Sequence, residues 1–387
     1  MKKIVIYTGT RAEYGLLRNL IRRLKSEKSF DVRIVVSGSH LSPEFGFTYK
    51  EIENDGFLID EKVEVLLSSD TSIGVAKAMG LGIISYAEVL HRLSPDLLIV
   101  LGDRYEAFAM ASAATVLRIP IAHINGGDVT SGAIDEAMRH SMTKMSHLHF
   151  TTTEEYRKRV IQLGEQPQHV FNVGALGVEN ILTMELLERA SLEKELDFKF
   201  KEKNILVTFH PVTLENLAAE VQMKELLKAL SGFPDFGLIF TKANADAEGR
   251  VINRLIDEFV VSHPNSKAYD SLGSKKYLSA LRQVDMVVGN SSSGIIEVPS
   301  FGIPTINIGD RQAGRLQTKT VINVTPEAAA IEKAIEQGLD ESFKVMSKQI
   351  KNPYGHWEAS KKITEILLEA SLENLLKKGF HDINFEV

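Results

Sequence analysis

Leu97 to His140 reads LLIVLGDRYEAFAMASAATVLRIPIAHINGGDVTSGAIDEAMRH, and the order of its parts decides the fold. The apolar run Leu97 to Val100 stops at Gly102 and Asp103, as a buried parallel strand does. Tyr105 to Leu117 is rich in alanine and free of Gly and Pro, which predicts a helix. Pro120 opens a second apolar run, Ile121 to Ile124, which empties into the loop Asn125-Gly126-Gly127-Asp128. A further helix then carries Asp135, Glu136 and Arg139. Strand, helix, strand is a βαβ unit with a right-handed crossover. Ligands in such sheets bind at the carboxyl ends of the strands, so Asp103, Asp128 and Asp135 are expected on or near one rim. A rim rich in carboxylates suits acid–base work on a bound substrate.

The same alternation extends in both directions. Ile4 to Thr8 reads as the first strand and ends in Gly9-Thr10-Arg11-Ala12-Glu13-Tyr14-Gly15, with a helix following to about Lys25. That turn has the geometry of an anion site, since free N–H groups and the helix dipole favour negative charge. The spacing is not G-x-G-x-x-G, so the dinucleotide fingerprint is absent. Arg11 is either the cation that reaches a phosphate or an exposed arginine in a turn. Val32 to Val36 reads as a strand, Glu44 to Asn54 as a short helix and Ser72 to Leu93 as a longer one. His147 and His149 alternate in SHLHF and share a strand face; with no third ligand in sight, structural histidines are favoured over a metal pair. Thr151-Thr152-Thr153-Glu154 resembles a capping signal before a helix to Leu163, and Val170 to Val173 is another strand.

A chain of 387 residues is too long for one ordinary domain. Residues 1–185 read as a doubly wound α/β domain and 186–365 as a second, with the charged stretch Ala190 to Lys203 linking them. In the second domain, strands end at His210-Pro211, at Lys242, at Gly289-Asn290-Ser291-Ser292-Ser293-Gly294 and at Gly309-Asp310-Arg311. A final helix from Trp357 to about Lys378 follows the turn Asn352-Pro353-Tyr354-Gly355. Composition narrows the function. The absence of cysteine excludes disulfides, thiolate nucleophiles and zinc–cysteine sites. A net charge of −6 argues against nucleic acid but leaves room for an anionic small ligand on a local arginine cluster. The N-terminal apolar run is too short for a signal peptide, and no stretch is expected to approach the length of a membrane helix, so a cytoplasmic location is expected.

Asn290 to Gly294 is a loop of small polar residues between a buried strand and a helix. Its hydroxyls and N–H groups suit a phosphate, and three serines exceed what a helix cap needs. It lacks the P-loop lysine, and no serine in it has glycine at both −2 and +2, so it is no nucleophile elbow. Glu297, one turn on from Ser293, suits a ribose diol. Arg311 and Arg315 are a phosphate clamp or ordinary surface charge. His210, at a strand end, is a phosphate donor, an acid–base group or a satisfied core histidine.

Taken together, GTRAEYG, LGDRYE, AHINGGDVTSGAIDEAMRH, TKMSHLH, EEYRKRVIQLGE, TFHP, GNSSSGIIEVPS and INIGDRQAGR resemble the hydrolysing UDP-N-acetylglucosamine 2-epimerases from Lys3 to about Tyr354. The resemblance implies a glycosyltransferase-B-type fold, two Rossmann-like doubly wound domains facing a cleft, with a C-terminal helix, 366–387, crossing back to the first. It implies a UDP-sugar substrate, no cofactor, no metal and a homo-oligomer, dimer or tetramer. The implied chemistry removes the C2 hydrogen while UDP leaves C1, giving a 2-acetamidoglycal; water then adds with inversion at C2. On UDP-N-acetylglucosamine this yields UDP and N-acetylmannosamine for sialic-acid synthesis. Relatives acting on UDP-N,N'-diacetylbacillosamine for legionaminic acid share the motifs.

Residue by residue, the resemblance gives catalytic carboxylates at Asp103 and Asp135 and a histidine near the phosphates at His210. Arg11, Ser291, Ser292 and Arg311 become phosphate contacts, with Ser293, Gly294 and Arg315 beside them, and Glu297 the ribose contact. Arg104, Asn125 and Arg139 lie next to the substrate. One position departs: some members have glutamate where this chain has Asn125, and an amide abstracts no proton. Asp128, itself replacing a family glutamate, is the substitute expected to serve. The competing readings are a non-hydrolysing epimerase, which leaves UDP on the product, a retaining UDP-sugar glycosyltransferase, which needs an acceptor pocket, and a non-catalytic UDP-sugar sensor.

Overall fold

A computed structural model describes the chain apart from residues 68, 70, 131–132, 213–217, 244–247, 356–357 and 385–387. Ser131 and Gly132 of the quoted stretch, and Trp357 at the expected start of the last helix, therefore lie outside the described residues. The chain divides into two compact units. The first comprises Met1–Asp128, Ile134–Asn180 and Tyr354–Val387; the second comprises Val129–Ala133 and Ile181–Pro353.

In the first unit seven parallel strands form one sheet: β1 (Lys2–Thr8), β2 (Phe30–Ser37), β3 (Glu61–Val63), β4 (Leu97–Leu101), β5 (Ile121–Ile124), β6 (Leu148–Thr151) and β7 (Val170–Asn172). Their order is β3-β2-β1-β4-β5-β6-β7, so the direction of winding reverses between β1 and β4. Alternate residues of each strand serve opposite layers. Ile4, Ile6 and Ile99 pack with Leu17, Ile21 and Leu24 of the helix Arg11–Ser26 and with Ile363 and Leu367 of the helix Ala359–Glu369. Val5, Tyr7, Leu98 and Val100 pack with the helices Ser72–Leu93 and Tyr105–Val116. Helices on both faces are what make these strands apolar throughout.

The second unit repeats the plan with β8 (Asn204–Thr208), β9 (Gly237–Thr241), β10 (Ser266–Tyr269), β11 (Met286–Gly289), β12 (Thr305–Ile308) and β13 (Val321–Val324). The order β10-β9-β8-β11-β12-β13 is again doubly wound, with the reversal between β8 and β11. Ile205, Val207, Phe240 and Val288 face the helices Ala219–Ser231, Gly249–Ser262 and Ala328–Leu339, while Leu206, Ile239 and Val287 face Arg189–Leu196 and Gly273–Leu281.

The structure corrects several expectations. Ala190 to Lys203 is no linker: Arg189–Leu196 is a helix whose Leu192 and Leu196, with Phe198 and Phe200, are core residues, and its charges form the solvent face. The helix expected from Glu44 is broken. A 3-10 turn, Pro43–Phe45, ends at Gly46 and Phe47, both left-handed, before the helix Tyr49–Asn54 begins. The last helix runs only from Ala359 to Glu369. Lys2 ends it by donating its Nζ to the carbonyls of Leu367, Leu368 and Ala370 at 2.8, 3.0 and 2.7 Å. The chain beyond is fastened instead by Lys378, whose Nζ reaches Ser146 O at 2.6 Å and Glu165 at 2.8 Å. Finally, one helix, Ser72–Leu93, is by length and composition alone apolar enough to span a membrane. Its Ala78, Gly82, Tyr86, Val89 and Leu90 are buried against the first unit.

Candidate functional site

At the carboxyl ends of β4 and β5 a buried arginine gathers the carboxylates. Arg139, on the helix Asp135–Met145, is 1% exposed. Its guanidinium is ion-paired with Asp103, donates to Glu136 Oε2 at 2.6 Å and donates to the Asp128 carbonyl at 2.8 Å. Burial alone would lower its basicity, but the charges of Asp103, Asp128 and Glu136 more than offset that. Asp128 is buried, and its Oδ1 accepts from Thr152 at 3.2 Å. Asp135 opens the same helix, one turn before Arg139, and is half-buried. Asp103 and Asp128 therefore meet at Arg139, on whose helix Asp135 stands one turn earlier.

Two further residues hold this cluster in shape. His123, in β5, donates its Nε2–H to the Gly102 carbonyl at 2.7 Å, and its Nδ1 meets Thr143 at 3.3 Å. Burial pushes its pKa down to about 4, so it stays neutral and anchors the loop that carries Asp103. Gly127 has φ +81°, and an added Cβ would lie 2.5 Å from the Tyr156 carbonyl, so only glycine fits. Asn125 sits at φ 67°, the left-handed region that Asn tolerates better than Glu does. Its Oδ1 is buried and unbonded among the described residues.

Beside this cluster, at the ends of β1 and β4, lies an acidic pair absent from the sequence reading. Thr10 caps the helix Arg11–Ser26, the helix Arg11 opens, and Glu13 Oε2 accepts from Gly9 N at 2.6 Å. Arg104 lies 3.6 Å from Glu106, with its guanidinium near the Tyr105 ring. Burial, then the charge of Glu106, pushes the Glu13 carboxyl up to about 8. A carboxyl raised on folding stabilises fully below its unfolded pKa, and that contribution is lost as pH rises toward the folded one. Glu13→Gln should therefore gain melting temperature over wild type progressively from about pH 4.5 to about pH 8, then keep a constant lead. Parallel melts across that range check it; a gap independent of pH contradicts the assignment.

In the second unit the organiser is Asn290, which the sequence marks only as part of a polar loop. Its Oδ1 accepts from His210 N at 2.7 Å, and its Nδ2 donates to His210 O at 2.8 Å. Its own carbonyl accepts from Arg311 at 3.0 Å and from Gln312 at 2.8 Å. One buried amide thus ties the ends of β8, β11 and β12 together and brings His210 and Arg311 to the serine loop. The loop can approach so closely because Gly289 has φ +143°, with a would-be Cβ only 1.9 Å from the Thr208 carbonyl. Ser291, Ser292 and Ser293 are partly exposed; the Tyr277 hydroxyl donates to Ser293 at 2.7 Å. The helix they open is a single turn, Ser293–Ile296, so its dipole is small, and Glu297 is its cap rather than an interior residue. At Gly294 a Cβ would press on Thr305 at 2.7 Å. Burial raises the Glu297 carboxyl. Arg315 donates to Val129 O at 2.9 Å and to Thr130 at 3.1 Å.

The two histidines of SHLHF serve packing. His149 meets Glu165 at 3.0 Å, and His147 accepts from Ile121 N at 3.2 Å. Among the described residues no group of three His, Asp or Glu side chains is placed to hold a metal ion.

A family model described as UDP-N-acetylglucosamine 2-epimerase matches residues 22–368. The chain belongs to the UDP-N-acetylglucosamine 2-epimerase family. Over 384 residues, 99% of each chain, it is 42% identical to the GDP/UDP-N,N'-diacetylbacillosamine 2-epimerase (hydrolyzing) of Campylobacter jejuni. It is 39% identical over 385 residues to the polysialic acid biosynthesis protein P7 of Escherichia coli, covering 99% of this chain and 98% of that one. A crystal structure of the UDP-GlcNAc 2-epimerase of Neisseria meningitidis bound to UDP-GlcNAc matches with TM-score 0.79 at 20% identity, over 96% of this chain and 100% of that one. This 2-epimerase-family enzyme thus shares with the solved members a fold of two Rossmann-like units, of glycosyltransferase-B type.

Proposed function

We propose that the protein is a hydrolysing UDP-N,N'-diacetylbacillosamine 2-epimerase, releasing UDP and a free sugar inverted at C2. The observation that carries the 2-epimerase reading is the cluster of Asp103, Asp128 and Glu136 around buried Arg139 at the strand ends. The C2 hydrogen is weakly acidic, so a positioned base must take it as the leaving group departs. Asp103 takes that proton; the C2–H electron pair forms the C1–C2 double bond, and the C1–O bond breaks toward UDP. Water then gives hydroxyl to C1, and a proton returns to C2 from the opposite face. Asp135 and Asp128 are the second acid–base pair of candidates, since Asn125 cannot serve. Arg104, Asn125 and Arg139 set the sugar's surroundings.

The nucleotide is held by Arg11, Arg311, Arg315 and the Ser291-Ser292-Ser293-Gly294 loop at the diphosphate and by Glu297 at the ribose. His210 donates to the phosphates as they leave. Neither a cofactor nor a metal takes part, because arginines neutralise the diphosphate. The enzyme works as a homo-oligomer in the cytoplasm, where a charged nucleotide sugar stays in the compartment that makes it. The relative of 42% identity supports the diacetylbacillosamine substrate. The polysialic-acid relative supports the second reading, UDP-N-acetylglucosamine to N-acetylmannosamine.

Incubation of each UDP-sugar in D2O without acceptor, followed by proton and phosphorus NMR, tests both. Free UDP and a sugar deuterated at C2 are expected, faster from UDP-N,N'-diacetylbacillosamine. UDP retained on the product would mean a non-hydrolysing epimerase, and release without C2 label a glycosyltransferase side reaction. On the same reading, Asn290→Ala should raise the UDP Kd about tenfold to a hundredfold by calorimetry. It leaves the part-buried His210 N–H and carbonyl without this partner, at up to about 1–3 kcal/mol for each group. An unchanged Kd would detach this loop from the nucleotide.

A further inference from the structure

The loop Asn125-Gly126-Gly127-Asp128 has glycines at its centre, and glycine resists rotation less than any other residue. What fixes the loop is therefore external to it. The Asn125 N–H donates to the Phe150 carbonyl at 2.9 Å, which secures one end. Toward the other end, successive carbonyls are each taken by an arginine. Arg139 donates to Asp128 O at 2.8 Å, and Arg159 donates to Gly127 O at 2.6 Å. Arg139 also gathers the carboxylates described above. Arg159 comes from a different helix, Glu154–Gln162, and its contact with Gly127 has so far no use.

Helical side chains lean toward the N-terminus of their helix, so residue 159 covers the turn that carries Tyr156. The Arg159 guanidinium lies 5.2 Å from the centre of the Tyr156 ring and 3.6 Å from Glu155. A Cβ at Gly127 would strike the carbonyl of the same Tyr156 at 2.5 Å, so the loop passes directly over that turn. The helix is a fixed platform. Arg157 Nε donates to Val170 O at 2.8 Å and its Nη2 to Pro167 O at 3.2 Å, while the Tyr156 and Tyr354 hydroxyls meet at 3.0 Å.

Folding alone does not ask for this arginine. Its side chain is 29% exposed, and water can meet a carbonyl in such a place instead. Water satisfies an acceptor but does not hold it still. Gly127 O and the Asp128 N–H belong to one peptide plane, so a carbonyl free to swing carries the Asp128 backbone with it. The direction of the Asp128 carboxylate, and its contact with Thr152 at 3.2 Å, depend on that plane.

We propose that Arg159 is a positioning residue for the acid–base step: it fixes the Gly127–Asp128 peptide and so aims Asp128, without touching the substrate. The inference rests on the reading of Asp128 as an acid–base group.

Turnover, amide exchange and melting of the full-length protein test it together. Arg159→Met should lower kcat about tenfold to a hundredfold, the scale of a small misplacement at a reacting group, with KM and melting temperature unchanged. Amide exchange over residues 125–130 should quicken at least ~tenfold while β4 and β5 keep wild-type protection. Arg159→Lys should recover most of the kcat, because one carbonyl needs one donor. In an Asp128→Asn background Arg159→Met should cost nothing further, since the residue it aims is already disabled. Losses that multiply in the double variant would place the action of Arg159 elsewhere and overturn the proposal. An unchanged kcat, or a melting temperature that falls in step with kcat, would overturn it too. Unaltered exchange in Arg159→Met overturns it whatever the turnover. A wild type that turns over neither UDP-sugar would instead overturn the 2-epimerase reading, and the exchange result would still decide whether Arg159 holds the loop.

Discussion

Asp103→Asn is expected to lower turnover by about a hundred-fold to ten-thousand-fold while UDP affinity and fold stay close to wild type. Asparagine keeps the shape of the side chain and an oxygen for Arg139, but it takes no proton. Arg139 retains Glu136 and the Asp128 carbonyl, so the buried guanidinium is not stranded. The loop itself is fixed from elsewhere, by His123 on the Gly102 carbonyl. A turnover measurement paired with UDP calorimetry separates the outcomes. Loss of both activities would mean a damaged fold. Near wild-type turnover would remove Asp103 as the base and move the role to Asp135 or Asp128.

The β4–β5 unit was legible because a buried parallel strand is short, wholly apolar and ends at glycine or a carboxylate. The strands missed are β3, β10 and β13, with sequences EKV, SKAY and VINV, which are only partly buried. Their strand character comes from pairing with a neighbour rather than from a pattern of their own. Ala190 to Lys203 misled because charge was counted along the chain and not around a helix; the four apolar side chains point inward.

In the candidate site, the positions of Asp103, Asp128 and Asp135 followed from the strand ends. What joins them did not. Arg139 bonds to Asp103 and to the Asp128 carbonyl on two other segments, and Asn290 bonds to the backbone of His210, eighty residues away. No local spacing encodes such contacts. Asn125 carried a signal of another kind: the reading asked what chemistry its amide lacks, whereas its left-handed backbone selects for asparagine on conformation alone.

The largest loss of stability is expected at Arg139. Arg139→Met keeps much of the volume but takes the guanidinium from the Asp103 and Glu136 carboxylates and the hydrogen bond from the Asp128 carbonyl. Removing one partner of a buried ion pair typically costs about 3–5 kcal/mol. Denaturant unfolding should register a loss of that size, and turnover should vanish with it. That result alone would not distinguish a strut from a device that aims the base, so Arg139→Lys is the informative companion. Lysine restores the buried charge, but its ammonium is a point donor and cannot fork to three acceptors as the guanidinium does. It should recover part of the stability and little of the turnover, with UDP affinity unchanged throughout. If Arg139→Lys regains both, charge alone suffices and the forked geometry plays no part in placing Asp103. If Arg139→Met unfolds at the wild-type denaturant concentration, the cluster contributes nothing to the fold, and its cost must be sought in the acid–base step alone.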